Sequence, residues 1–298
     1  MNIERVGYIG LGVMGEPMCR HLATKAESVG VSMVTAFDLQ PEPLKRVAQC
    51  GAIPVASAAE ICSTADVVMY CLPDGDKVRE LVFGNGELLD ASRRGQIVLD
   101  LGTTQVGLTR EIHRAFADRD VHFMDSPVTR TRQAAQDGKL STLVGGDQDM
   151  FNLVEPLLRC FSTDVTLCGP VGCGQVVKQM NNMVLFQTVV AIAEALSTSR
   201  AAGVADDVLF DAMSKGSADS FALRNHGLKS MLSGNFPERA FSTRYALKDL
   251  QYALELAAEN GLSLSGAQNV REIFEKTIAA GDGDLYFPVL IRSLRSLN

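Results

Sequence analysis

The run GQVVKQMNN, residues 174–182, holds the residue types best suited to chemistry in this chain of 298 residues. Wound as a helix, it sets Lys178, Asn181 and Asn182 at i, i+3 and i+4, with Gly174 one turn before the lysine, so all four lie on or near one face. Polar groups on one stripe of an otherwise apolar helix are costly unless they meet water or a ligand. A lysine partly withdrawn from water loses basicity and can exchange a proton with a substrate hydroxyl. Asn182 is placed to hydrogen-bond the same oxygen, and Gly174 lets a ligand come close to the backbone. A solvated stripe on a surface helix has the same spacing, and spacing alone leaves both readings open.

A second constellation lies at the start of the chain. YIGLGVMG puts Gly10, Gly12 and Gly15 directly after an apolar strand-like run and at the start of a helix, with Leu11, Val13 and Met14 between them. This spacing suits a dinucleotide: the first glycine makes the turn, the second admits the pyrophosphate, and the third lets helix and strand pack closely. The helix N-terminus adds free N–H groups and a positive dipole end. Pro17 fits the first turn, where its missing N–H costs little. Asp38 ends the next strand, where a carboxylate accepts hydrogen bonds from the ribose hydroxyls and repels a 2′-phosphate, so NAD is favoured over NADP. The alternative role for Asp38 is N-cap of the following helix.

These groups need a scaffold, and the first half of the chain provides one. Apolar runs at 5–10, 34–38, 66–73, 96–102 and 121–127 end in Gly, Pro or Asp and alternate with helical stretches at 13–26, 42–49, 74–83 and 105–118. That alternation predicts βαβ units and a parallel sheet covered on both faces. Runs at 140–146 and 164–169 extend the strand pattern. Beyond residue 170 the strand signal stops. Residues 175–202 form one long apolar-periodic helix that Gly203 can close. Further helices are predicted at 206–214, 221–232, 243–260 and 267–280. The expected architecture is an α/β, Rossmann-type doubly wound sheet over residues 1–168, followed by an all-α domain over 169–298, joined by the long interdomain helix.

Composition narrows the function further. With 46% hydrophobic and 21% charged residues the chain reads as globular, and a net charge of −7 argues against nucleic acid as the main partner. No run is long and apolar enough to predict a signal peptide or a membrane span. The seven cysteines are scattered without metal-like pairing, the four histidines do not cluster, and no metal site is expected; reduced thiols suit the cytoplasm.

GLGVMG, DSPV, GQVVKQMNN (a GxxxKxxNN pattern) and ALKDLQYALELA, in that order, resemble the β-hydroxyacid dehydrogenases along essentially the whole chain. That family includes 3-hydroxyisobutyrate dehydrogenase and tartronate semialdehyde (2-hydroxy-3-oxopropionate) reductase and is related to 6-phosphogluconate dehydrogenase. The resemblance implies an enzyme acting on a small anionic hydroxyacid or semialdehyde, bound in a cleft between the two domains. It makes Lys178 the catalytic lysine and Asn182 the residue that orients the substrate. It also places Leu72 and Pro73 of the CLP turn, Thr103 of DLGTT and Lys248 of LKDL along the cofactor, and Ser126 beside the substrate. A homodimer or homotetramer is the family's expected assembly.

Two departures stand out. Gly102 replaces the serine of the usual DxST. More consequentially, Thr129-Arg130-Thr131 stands where most members have Ser-Gly-Gly holding the substrate carboxylate. The threonine hydroxyls and backbone N–H groups can still serve an anion, and Arg130 adds a fork suited to carboxylate, sulfonate or phosphate. PVTRT also resembles the PVGRT of sulfolactaldehyde reductases, which makes a sulfolactaldehyde or succinic semialdehyde reductase the alternative. For Arg130 the bland reading is a solvent-facing charge, and for Arg132 that reading is preferred. Imine reductases carry another residue at the lysine position, and 6-phosphogluconate dehydrogenase proper is longer. A non-catalytic NAD-binding module is the alternative outside enzymes.

Overall fold

The computed structural model describes residues 3–84, 88–238 and 240–295, which form two compact units, Met1–Lys178 and Gln179–Asn298. In the first, β1 (Arg5–Ile9), β2 (Met33–Phe37), β3 (Ile53–Pro54), β4 (Val67–Tyr70), β5 (Ile97–Asp100) and β6 (His122–Asp125) lie parallel in the order β3-β2-β1-β4-β5-β6. The sheet then continues through β7 (Val128–Thr129), β8 (Leu140–Gly145) and β9 (Ser162–Gly169): β8 runs antiparallel to β6 and β7, and β9 is parallel to β8. The predicted strand runs match these elements to within a few residues. The antiparallel return and the two-residue strands β3 and β7 are additions.

Strand side chains alternate between two buried faces, as a sheet covered on both sides requires. Val6, Tyr8, Val67, Met69, Ile97, Leu99 and Met124 enter one core, whereas Ile9, Val68, Tyr70, Val98 and Phe123 enter the other. Helix α1 (Gly15–Lys25) packs Met18, Cys19 and Leu22 into the first core. Chain order reverses on either side of β1, which makes the C-terminal ends of β1 and β4 the switch point where such sheets bind ligands.

The remaining helices of this unit are α2 (Pro41–Ala48), α3 (Ala58–Thr64), α4 (Gly75–Phe83), α5 (Leu88–Ala91), α6 (Val106–Ala117), α7 (Arg132–Gln136) and α8 (Gln148–Leu158). Helix α9 (Cys173–Ala201) is the long helix expected from the sequence. Gly203 closes it at φ +84°, with the Val204 N–H bonded back to the Ser199 carbonyl, the pattern of a Schellman cap.

The second unit continues with α10 (Asp206–Lys215), α11 (Thr243–Glu259) and α12 (Ser265–Thr277). The segment expected as an ordinary helix at 221–232 is instead wound as a π-helix over Leu223–Leu232, a winding that turns Leu223, His226, Gly227, Ser230 and Met231 inward. Its core centres on Phe186, whose ring lies 5.3–5.7 Å from those of Phe241, Phe274 and Phe287. No helix among the described residues is long and apolar enough to cross a membrane.

Candidate active site

The glycine turn after β1 shows three separate reasons for glycine. Gly10 has φ +86°, and a Cβ there would fall 2.5 Å from the Cys71 carbonyl oxygen. At Gly15 a Cβ would fall 2.0 Å from the Gly10 carbonyl oxygen, so helix and turn touch backbone to backbone. Around Gly12, by contrast, no atom lies within 4 Å of the Cβ position. That open space at the end of β1, beside a helix start with no side-chain cap, fits a dinucleotide pyrophosphate. Leu11 is buried, Val13 is exposed, and Met14 is the N-cap residue of α1.

Asp38 does not cap α2, whose N-cap is Gln40. Its carboxylate accepts the Leu11 N–H at 2.6 Å and the Gln40 N–H at 2.7 Å, which ties the end of β2 to the glycine turn. The Leu11 N–H is therefore spent on Asp38. Two of the carboxylate's roughly four acceptor positions remain for other donors. Arg46 is held by Glu16 through two hydrogen bonds at 2.7 and 2.8 Å, and Lys45 pairs with Glu42.

Leu72 and Pro73 follow β4 directly beside Gly10; the Leu72 side chain comes within 3.0 Å of the Gly10 Cβ position. Gly102 lies against the same turn, since a Cβ there would sit 3.0 Å from the Leu72 carbonyl oxygen. Thr103, one residue on, is buried at 6% exposure. The CLP turn thus joins the glycine turn to the DLGTT loop within one unit.

Paired across β5 and β6 are two fully buried aspartates, Asp100 and Asp125, which the sequence reading did not single out. Asp100 organises the DLGTT loop by accepting the Gly102 N–H at 2.9 Å and the Thr104 hydroxyl at 2.7 Å. Asp125 reaches the start of α9, accepting the Gly172 N–H at 2.6 Å and the Gln175 N–H at 2.7 Å. Burial pushes its carboxyl up to about 6 although backbone N–H donors pull the other way. Gln175 completes the lattice: its side chain donates to the Gly102 carbonyl at 2.9 Å and accepts the Thr104 N–H at 3.1 Å.

On α9 the buried polar stripe differs from the expected one. Gln175, Lys178, Gln179 and Asn182 are all buried, at i, i+3, i+4 and i+7, with Lys178 at 8% exposure. Asn181 is exposed and donates to the Asn182 side chain at 3.1 Å. The glutamines were missed, although the same helical spacing in the sequence marks them.

In the second unit Asn182 donates to Asp249 at 2.8 Å, and Lys248 lies 3.0 Å from the other oxygen of Asp249. The geometry of that second contact is an ion pair rather than a directed hydrogen bond. The Lys248 ammonium also sits over the rings of Tyr245 and Tyr252, at 4.1 and 4.9 Å from their centroids.

In the loop after β6, Arg130 finds partners within the protein. The Arg130 guanidinium donates to the Lys139 carbonyl at 2.6 Å, the Thr163 hydroxyl at 2.7 Å and the Asp164 carboxylate at 2.5 Å. The Thr163 hydroxyl and then this guanidinium hold the Asp164 carboxyl below its usual range. Arg130 braces the loop against the ends of β8 and β9, its guanidinium engaged by partners within the protein. Its backbone has φ +84°, the left-handed conformation that glycine adopts most readily. Thr131 caps α7 by accepting the Ala134 N–H, and Thr129 pairs with Ser141 in β7. Ser126 is fully buried, and its hydroxyl has no hydrogen-bond partner among the described residues. Such a group costs about 1–3 kcal/mol unless a ligand or water satisfies it.

These contacts lead to a specific expectation for position 130. Arg130→Ala keeps the left-handed strain and loses the brace, whereas Arg130→Gly loses the brace but relieves the strain. Arg130→Gly should be the more stable of the two by about 1 kcal/mol in urea unfolding. KM for the acid should be nearly the same in both variants and in the parent. A large rise in KM with unchanged stability would show instead that the guanidinium leaves its brace for the substrate.

Comparison with known proteins identifies the family. The model of the NAD-binding domain of 6-phosphogluconate dehydrogenase matches residues 5–169, and that of the NAD-binding region of NADP-dependent 3-hydroxyisobutyrate dehydrogenase matches residues 172–294. The chain is 29% identical to the 2-hydroxy-3-oxopropionate reductase of Escherichia coli over 97% of both chains. It is equally similar to the 2-(hydroxymethyl)glutarate dehydrogenase of Eubacterium barkeri, at 29% over 94% of this chain and 91% of that one. The solved structure of Mycobacterium tuberculosis 3-hydroxyisobutyrate dehydrogenase with L-serine superposes with a TM-score of 0.88 at 30% identity, covering 99% of this chain and 100% of that one. With the glycine turn, the Asp38 tether and the lysine helix in place, the chain belongs to the 3-hydroxyisobutyrate dehydrogenase family, within the 6-phosphogluconate dehydrogenase NAD-binding superfamily, and is an NAD(P)-dependent oxidoreductase of the hydroxyacid dehydrogenase kind.

Proposed function

We propose that this protein interconverts a small β-hydroxyacid and its semialdehyde or keto form with NAD, using Lys178 as general acid/base and Asn182 to orient the reacting oxygen. The observation that carries this reading is the buried stripe on α9, in which a lysine is held among amides at the first turns of a helix anchored to the sheet. In oxidation, the unprotonated Lys178 Nζ takes the proton of the substrate hydroxyl as the carbonyl forms; in reduction, its ammonium returns that proton to the carbonyl oxygen. The nicotinamide ring, when bound, supplies hydride acceptance in the first direction and hydride donation in the second. Asn182 donates to Asp249, which fixes the amide's orientation, and this supports its role in directing the substrate oxygen.

The acid group of the substrate is assigned to the Ser126 hydroxyl and to the backbone and hydroxyls of Thr129 and Thr131. The unsatisfied Ser126 hydroxyl supports this, and L-serine, itself a β-hydroxyacid, in the structure of the M. tuberculosis relative supports the substrate class. Lys248 is assigned to the cofactor's surroundings together with Leu72, Pro73 and Thr103. The family resemblance supports a homodimer or homotetramer, and the scattered, unpaired cysteines support a cytoplasmic location.

Preference for NAD is supported by Asp38, whose fixed carboxylate would face a 2′-phosphate with like charge, and by the engagement of Arg46 by Glu16. In fluorescence titration NADH should bind at least about tenfold more tightly than NADPH, and Asp38→Ser should erase most of that gap. Tighter NADPH binding by the parent would overturn the cofactor assignment. The reaction itself is tested with NAD and a panel of 3-hydroxyisobutyrate, glycerate, 4-hydroxybutyrate and dihydroxypropanesulfonate, following nicotinamide absorbance. One of the carboxylates should turn over; silence from all four, and from their aldehydes with NADH, would sink the reading.

A further inference from the structure

We propose that Asp125 and Gln175 are positioning residues for Lys178, locking the first turn of α9 onto the sheet and the DLGTT loop. This rests on the reading of Lys178 as the acid/base. Asp125 sits at the C-terminal end of β6, and its two oxygens bridge the Gly172 and Gln175 N–H groups, one residue before α9 begins and two residues after its start. It serves as the helix's N-terminal cap from 47 and 50 residues away in sequence. A carboxylate at a helix N-terminus also meets the positive end of the dipole.

The space around it is built for this contact. A Cβ at Gly145 would fall 2.3 Å from one Asp125 oxygen, and a Cβ at Gly174 would fall 2.8 Å from the other and 2.5 Å from the Leu143 carbonyl. Glycines at both positions allow the helix start to come down onto the strand ends. One turn before Lys178, the Gln175 side chain then spans to Gly102 and Thr104, on either side of Thr103. The helix start that precedes the lysine, the loop expected at the cofactor and the strand end beside Ser126 are thus tied by buried hydrogen bonds. Asp125 and Gln175 carry no proton for the reaction. Their effect is geometric, and displacement of about 1 Å at a reacting group can cost on the order of a hundredfold in rate.

The test uses Asp125→Asn and Gln175→Met in the full chain, with two readouts. Asparagine turns an N–H donor pair toward backbone N–H groups and breaks half of the bridge. Methionine leaves the Asp125 contacts intact and removes only the link to the loop, so it carries the test if Asp125→Asn fails to fold. The first readout is the rate and pH dependence of Lys178 acetylation, mapped by peptide mass spectrometry, with the exposed Lys45 and Lys77 as internal controls. Lys178 acetylation should change by about threefold or more while both controls stay constant. The second is turnover with whichever panel substrate reacts: kcat should fall by about tenfold or more with little change in NAD binding. In a Lys178→Ala background, adding Asp125→Asn should cost no further rate, because a positioned group that is absent cannot be misplaced. Unchanged Lys178 acetylation in the folded variants, or an equal loss of rate with and without the lysine, would overturn the proposal. Should Lys178→Ala itself retain full turnover, the acid/base reading fails, while the acetylation readout still decides whether Asp125 and Gln175 place the lysine.

Discussion

Lys178→Ala is expected to lower kcat by roughly a thousandfold, within the range that a positioned general acid/base contributes. Fluorescence titration should find NADH affinity nearly unchanged, because the glycine turn and Asp38 lie in other elements of the fold. Lys178→Arg should be almost as inactive as the alanine variant. A guanidinium keeps its charge near neutral pH and cannot accept the hydroxyl proton, so charge alone would not restore the reaction. Recovery of turnover by arginine would therefore shift the role of Lys178 from proton transfer to electrostatic stabilisation. Full turnover by the alanine variant would favour a chain that binds NAD without catalysis at this helix.

Substitution at the glycine turn should separate packing from ligand binding. In Gly15→Ala the new methyl would fall 2.0 Å from the backbone carbonyl oxygen of Gly10, and no side-chain rotation can relieve that overlap. Helix α1 must move off β1, at a cost of about 3 kcal/mol and a fall in Tm of roughly 5–10 °C. NAD affinity should drop with it, because the helix start and the turn move together. Gly12→Ala adds the same methyl to open space, so Tm should change by no more than about 2 °C while NAD affinity falls by about tenfold or more. Calorimetry and titration on the two variants give a paired result. Equal losses of stability in both would mean that Gly12 is a packing glycine and that the open space beside it is not kept for a ligand.

Much of this molecule was legible before its fold was known, for local reasons. The parallel strands are short apolar runs that end at Gly, Pro or Asp, and the glycine turn and long helix announce themselves within a dozen or two residues. Segments whose identity depends on neighbours were harder. Helix α8 was passed over although Phe151, Val154, Leu157 and Leu158 recur at helical spacing, and α3, with only seven residues, is too short to show a period of its own. The two-residue strand β7 exists only because β8 returns antiparallel beside it. The π-helical winding of Leu223–Leu232 likewise left no trace in an apolar pattern that suits an ordinary helix.

The candidate site divides in the same way. By itself the sequence determined the family, the dinucleotide turn, the carboxylate at the end of β2 and the lysine helix, since each is a pattern of neighbours along the chain. Even the buried amides Gln175 and Gln179 were within reach, at helical spacing from Lys178. Only the tertiary structure decided where the charge of Arg130 goes, because its partners Thr163 and Asp164 lie 33 and 34 residues away. It likewise decided that Asp125, which in sequence merely precedes Ser126, caps the helix that carries the lysine. Hydrogen bonds between distant residues depend on which strand ends and helix starts the fold brings together, and neither residue type nor spacing contains that information.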